Sequence, residues 1–203
     1  MAMPGTGGFR SAAITYRERA VADLERRTGV YALCDLDQMP IYIGQSVDGI
    51  QNRVRRHLTS ARSDIIANRQ VDVWEIAWVM AWPASPAIIP ALEAALYHHC
   101  NARSPLMNGS VPILPADPPP RVAPEQIVQV MSDEEIARRL QASARLPRQI
   151  EHYGRLVDHY LNVKSSAELR MSMEAHFDRL ARYHHGFLEQ AGSAPRGSED
   201  ARD

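Results

Sequence analysis

The sequence predicts an α/β unit followed by an α-helical region, and three observations carry that prediction. Residues 29–44, GVYALCDLDQMPIYIG, are two short apolar runs joined by a polar corner, the pattern of a β-hairpin. Residues 72–82, DVWEIAWVMAW, are apolar on both faces apart from Glu75, as expected of a central strand covered on both sides. Beyond a proline-rich stretch the apolar spacing becomes three-and-four, the period of helices that bury one face.

Taken in order, SAAITYRERAVADLERR (11–27) reads as a first helix with Ile14, Val21 and Leu24 on one side. In the hairpin, a corner at residues 35–38 sets Tyr31 opposite Tyr42 and Gly29 opposite Gly44. Side chains alternate between faces, so Val30, Ala32, Cys34, Ile41 and Ile43 share the other, apolar face. A helix then runs from Asp48-Gly49 to about residue 68, with Asp48 as cap and Gln51 completing a capping-box-like exchange. Val54, Leu58, Ala61 and Ile65 form its buried stripe. After the third strand comes a helix centred on ALEAALYHHCN, starting at Ser85-Pro86 or at Pro90, since proline is tolerated in a first turn.

Residues 112–124, PILPADPPPRVAP, hold 6 of the 14 prolines, a density that neither helix nor sheet survives. They are read as a semi-rigid linker. Ser132 to Glu135 is a capping box leading into a helix. Ile150, Tyr153, Val157 and Tyr160, then Leu169, Met173, Phe177, Leu180 and His184, form two amphipathic stripes. They are expected to form an αα-hairpin docked on the first domain or across the two-fold axis of a homodimer. Arg148, Arg155, Arg170, Arg179 and Arg182 are then expected on the outer faces. The domain reading is 1–111, a 112–124 linker, a 125–191 helical extension for dimerisation or DNA contacts, and a disordered tail at 192–203.

The totals narrow the class. The chain has 203 residues, 45% hydrophobic and 23% charged, as in ordinary soluble globular proteins. No apolar run approaches the roughly 20 residues that span a membrane, and the N-terminus lacks the apolar core of a signal peptide. Cys34 and Cys100, the only cysteines, fit reduced core thiols, so a cytoplasmic location is expected. A net charge of −1 gives no global nucleic-acid signature.

Four further residues belong beside the tyrosines. Arg53 and His57 are four apart and point the same way from a helix. Arg55 and Arg56 read as surface, or as unspecific phosphate contacts. Glu93 sits in ALEAALYHHC almost without polar company, where a carboxylate is costly to ionise unless a cation or donor meets it. A hard divalent metal is one answer. Asn108 follows the helix, where its amide can steady a loop or a ligand. Cross-strand tyrosines also stabilise sheets by roughly 0.2–1 kcal/mol, so that pair alone does not mark a site. The His98-His99-Cys100 and His184-His185 runs are poor zinc sites, because neighbours on a helix diverge by about 100°.

The order Gly29-Val30-Tyr31, then Tyr42-Ile43-Gly44, Arg53-x-x-x-His57, the isolated Glu93 and then Asn108 resembles a GIY-YIG nuclease domain over about residues 28–110. Val30 replaces the usual Ile, and Asn52 stands where many relatives carry a basic residue. The resemblance implies a three-stranded mixed sheet with flanking helices and single-metal phosphodiester hydrolysis. Glu93 is then the ligand of Mg2+ or Mn2+. Tyr31 takes or orients the water proton, with His57 as the rival base. Arg53 neutralises transition-state charge and Tyr42 bonds water or phosphate. Gly29, Gly44 and Arg56 lie along the approach of the substrate backbone. The expected protein is a restriction-like DNA endonuclease; a repair-type or mobile-element nuclease and a catalytically idle binding or interaction module are the alternatives.

Overall fold

The computed structural model describes residues 6–60, 63–120 and 123–193. Thr6–Ala22 (α1) leads to Gly29–Cys34 (β1) and Pro40–Ser46 (β2), the expected hairpin. The anticipated 48–68 helix is broken into Ile50–Thr59 (α2) and Asp64–Ala67 (α3). Trp78–Pro83 (β3), Ile89–Asn101 (α4) and Gln126–Gln129 (β4) follow. Asp133–Leu140 (α5), Ala142–Asn162 (α6) and Ala167–Ser193 (α7) complete the elements among the described residues. The helix α7 runs on through residues 192–193, where the tail was expected to begin; residues 194–203 of that tail, and Ala61 of the α2 stripe, lie outside the described residues.

The sheet has four strands in the order β2-β1-β3-β4, not three, and every pairing is antiparallel, so it is not mixed. The added strand lies just past the prolines, within a region expected to be only helical. The prolines carry the chain back along β3, where Glu125 N donates to Ala81 O at 3.0 Å before β4 begins. A four-residue strand next to six prolines is too short to leave a period of its own in the sequence. Its pairing covers the β3 edge that three strands would leave bare.

The hairpin register also differs from expectation. Tyr31 lies opposite Gly44, and Tyr42 opposite Leu33, with an irregularity between Leu33 and Cys34. The shift is two residues, so Tyr31, Tyr42, Val30, Ala32 and Ile43 keep their faces. Ile41 does not: it sits at the irregularity, between the partners of Leu33 and Cys34, and packs with Tyr31 and Leu33 instead of with Val30 and Ile43. One face of the sheet, with Tyr31, Leu33, Val79 and Ala81, packs on Val21 of α1, Val54 and Leu58 of α2, and Ile65. The other, with Val30, Ala32, Cys34 and Ile43, packs on Ile89, Leu92 and Leu96 of α4. Pro90 stands in the first turn of α4. At α2 the cap is Gly49 rather than Asp48, and Gln51 donates instead to the Ala22 and Leu24 carbonyls. Ile14 of α1 is exposed, while Val21 and Leu24 are buried as read. Cys34 and Cys100 are both free thiols.

The α6–α7 hairpin docks on the sheet unit through charge as well as through part of its apolar stripe: Leu169 is buried, and Ala175 joins the core cluster of the sheet. Arg145 donates to Glu75 at 2.9 and 2.5 Å and to Asp37 at 2.7 Å. Arg148 bonds Asp72 at 3.0 Å and also pairs with Glu75. Arg179 pairs with Asp35 and donates to Ser104 Oγ at 2.5 Å. Asp35, Glu75 and Arg179 are each 2% exposed or less. Arg148 and Arg179 are therefore not on an outer face, and Arg182 bonds Ser104 at 3.2 Å. Carboxylates buried beside β1 and β3 demand cations, and guanidinium forks supply several bonds at once. The price is paid in fragility: removing one partner of such a network costs roughly 3–5 kcal/mol. Ile150 and Phe177, read as buried, stay exposed.

A histidine pair lies in the same seam. The rings of His152 and His176 are 5.2 Å apart, and His176 Nε2–H donates to the Gln149 carbonyl at 3.2 Å. Burial, then the neighbouring His152 and Arg179, lower the His176 pKa to about 3. The unfolded chain binds that proton below about 6.5, so the stability contributed here is full above that pH and is lost as pH falls toward 3. The melting temperature is expected to drop between pH 7.5 and 5, and to drop less in His176→Gln. An unchanged drop in the variant would assign the titration to another group.

Candidate active site

The central strand β1 fixes Tyr31, and the edge strand β2 fixes Tyr42 on the same face. Above them runs α2, whose buried side presents Ile50, Val54, His57 and Leu58. Tyr31 Oη and His57 Nε2 are 2.7 Å apart, and His57 Nδ1 and Ser63 Oγ are 2.6 Å apart. The three rings form a near-equilateral cluster: Tyr31–Tyr42 6.4 Å, Tyr31–His57 5.9 Å and Tyr42–His57 5.9 Å. Arg53 lies one turn before His57 and is half-buried, and Arg56 is exposed. Tyr31 and His57 are 0% and 1% exposed, whereas Tyr42 is only partly buried. Tyr42 is thus the phenol that solvent meets, and the Tyr31 hydroxyl meets water only once the groups over it give way.

The space above both motif glycines is filled from within the chain. A Cβ on Gly44 would lie 2.5 Å from Tyr31 Oη, 2.7 Å from Tyr31 Cζ and 2.8 Å from Tyr42 Cε1. Gly44 therefore makes room for the two phenols rather than for an incoming backbone. A Cβ on Gly29 would strike the Trp82 carbonyl and lie 2.8 Å from Pro83 Cα, so this glycine permits the close pairing of β1 and β3. Asn108 uses both ends of its amide on Ile43: its Oδ1 accepts from Ile43 N at 3.0 Å and its Nδ2 donates to Ile43 O at 2.6 Å. That grip satisfies the open side of the edge strand beside Tyr42 and Gly44, and makes Asn108 a brace of the site.

Glu93 comes from the opposite layer. Its helix, α4, packs against β2 and β1 on the face away from the tyrosines. Glu93 stands in the row Ile89, Glu93, Tyr97, with Ile89 and Tyr97 buried and Glu93 half-buried. Burial raises its pKa, and among the described residues the carboxylate has no hydrogen-bond or ion-pair partner. A destabilised carboxylate of this kind gains by meeting a cation. Among the described residues no group of three or more His, Cys, Asp or Glu is placed to hold a metal ion. As a lone oxygen donor, Glu93 has the chemistry that a hard divalent ion accepts.

Tyr31, Tyr42 and His57 are brought together as the sequence led us to expect, and Ser63 is the member it did not reveal. Ser63 lies past the end of α2, six residues from His57, outside any helical spacing that would mark it. Residues 27–102 match the family model described as the GIY-YIG catalytic domain, a span from just before β1 through α4. No curated protein and no solved structure matches the chain.

Proposed function

We propose that this chain, whose residues 27–102 match the GIY-YIG catalytic domain, is a nuclease of that type, and specifically a metal-dependent DNA endonuclease with a restriction-like role. The observation that carries the reading is the 2.7 Å contact between Tyr31 Oη and His57 Nε2 inside the ring cluster. A free phenol, with a pKa near 10, is a poor base at neutral pH. With an imidazole against it, the phenol can release its proton to Nε2 as its oxygen takes one from the attacking water. Tyr31 and His57 then act in series and not as rivals. Tyr42, reachable from solvent, orients the water or the phosphate, and Arg53 offsets charge on the transition state. Glu93 would hold Mg2+ or Mn2+, which when bound supplies Lewis-acid stabilisation of the leaving oxygen. The exposed Ile150 and Phe177 offer a surface for the homodimer that double-strand cutting needs.

The near-complete burial of Tyr31 and His57 favours a second reading, a nucleic-acid-binding module that does not cut. Plasmid, single-stranded DNA and RNA, each incubated with pure protein with and without Mg2+, separate the two. Cleavage of plasmid that stops with chelator is expected. Binding without cleavage of any of the three, in Mg2+ and in Mn2+, would establish the module instead.

A further inference from the structure

We infer that Ser63 is a positioning residue that holds His57 in the one tautomer able to take the Tyr31 proton, an assignment that rests on the nuclease reading above. A neutral imidazole has one N–H and one lone pair. With Tyr31 Oη 2.7 Å from Nε2 and Ser63 Oγ 2.6 Å from Nδ1, two arrangements satisfy both contacts. In one, Tyr31 donates to Nε2 and Nδ1–H donates to Ser63 Oγ. In the other, Ser63 donates to Nδ1 and Nε2–H donates to Tyr31 Oη, which leaves no lone pair facing the phenol. Only the first can activate Tyr31.

Acidity selects the first. A phenol titrates near pH 10 and is a far stronger acid than an aliphatic hydroxyl, so the phenol is the better donor to an imidazole nitrogen. The serine hydroxyl is left to accept from Nδ1–H. The backbone keeps Ser63 in place for that role. Its carbonyl accepts from Ala67 N at 2.7 Å and Ile66 N at 3.1 Å, opening α3, and its N–H donates to Ser60 O at 3.1 Å. Ser63 is 0% exposed, so its oxygen faces His57 without competition from bulk water. When Tyr31 passes its proton to Nε2, His57 becomes an imidazolium and Nδ1–H stays on Ser63 Oγ. The Tyr31 oxygen then accepts the water proton, so the net transfer is one proton from water to His57. The second ring nitrogen of a working histidine is commonly fixed by such a partner.

The test reads the tautomer directly and does not depend on activity. Long-range proton–nitrogen NMR of the full chain, labelled at histidine, is expected to show His57 protonated at Nδ1. In Ser63→Ala that preference should weaken, because the Nδ1–H form loses the Oγ that accepts from it while the phenol alone still favours it. The single-turnover cleavage rate in Mg2+ should fall on the order of 10-fold, part of the roughly 10²–10⁴ that general-base catalysis supplies, with DNA affinity unchanged. A wild-type spectrum showing Nε2–H overturns the assignment. So does a folded Ser63→Ala protein with an unaltered tautomer and rate. If Ser63→Ala does not fold, the wild-type spectrum decides alone. Absence of cleavage by the wild type itself refutes the nuclease reading, whereas cleavage that is indifferent to Ser63→Ala refutes only the role of Ser63.

Discussion

Glu93→Gln is expected to abolish Mg2+-dependent cleavage while leaving the protein folded. The carboxylate is half-buried among Ile89, Leu92 and Tyr97, burial raises its pKa, and no described residue neutralises it. A folded pKa raised above the unfolded one means that ionising Glu93 at neutral pH works against folding. The isosteric amide removes that penalty, so the metal-free variant should melt no lower than the wild type at pH 7.5. Metal stabilisation of a developing oxyanion contributes several kcal/mol, and each 1.36 kcal/mol is tenfold in rate, so the loss should be on the order of 10³-fold or more. Mg2+ should raise the melting temperature of the wild type by mass action and do nothing to the variant. Near-normal cleavage by Glu93→Gln, or equal thermal shifts with Mg2+, would remove Glu93 from the site.

Tyr31→Phe should lower the cleavage rate by roughly 10²–10⁴, the range of a positioned general base. The ring keeps its place over Gly44, so packing survives and only the hydroxyl is lost. His57→Ala should fall in the same range, because it removes the imidazole nitrogen that lies 2.7 Å from the phenol oxygen. It should also lower stability by roughly 1–3 kcal/mol, since a buried contact between the hydroxyl and Nε2 is lost. Groups that act as one unit lose activity once, so the double variant should be no slower than either single one. Multiplying effects in the double variant would show the two residues working separately. An active Tyr31→Phe beside a silent His57→Ala would end the phenol mechanism altogether.

The site was legible where its signal is local in the chain. Tyr31, Tyr42 and their shared face follow from strict alternation, and the two-residue error in register did not disturb them, because a strand has period two. Arg53 and His57 share a side through the four-residue spacing of a helix. The capping role of Ser132, which accepts from Glu135 N at 3.3 Å, was readable for the same reason. Asn108 and Ser63 were harder. Asn108 grips Ile43 across 65 residues, and a six-residue step across a helix break set Ser63 against His57. Neither spacing belongs to a regular element, so no periodicity announces it.

The sequence by itself determined the hairpin, the face its two tyrosines share, the helical Arg-His pair and the isolated Glu93, since alternation and helical period are properties of neighbouring residues; it did not show that both faces of β1 are buried. Only the tertiary structure decided that β4 returns past the prolines to close the sheet at its far edge. It alone decided, too, that the C-terminal helices dock through Arg145, Arg148 and Arg179 and leave Ile150 and Phe177 outside. An apolar stripe predicts a buried face only when nothing stronger competes. Here Asp35, Asp72 and Glu75, displaced from water by the sheet unit, required cations that lay 70 or more residues further along the chain, and meeting buried charge outweighed burying a few more apolar side chains.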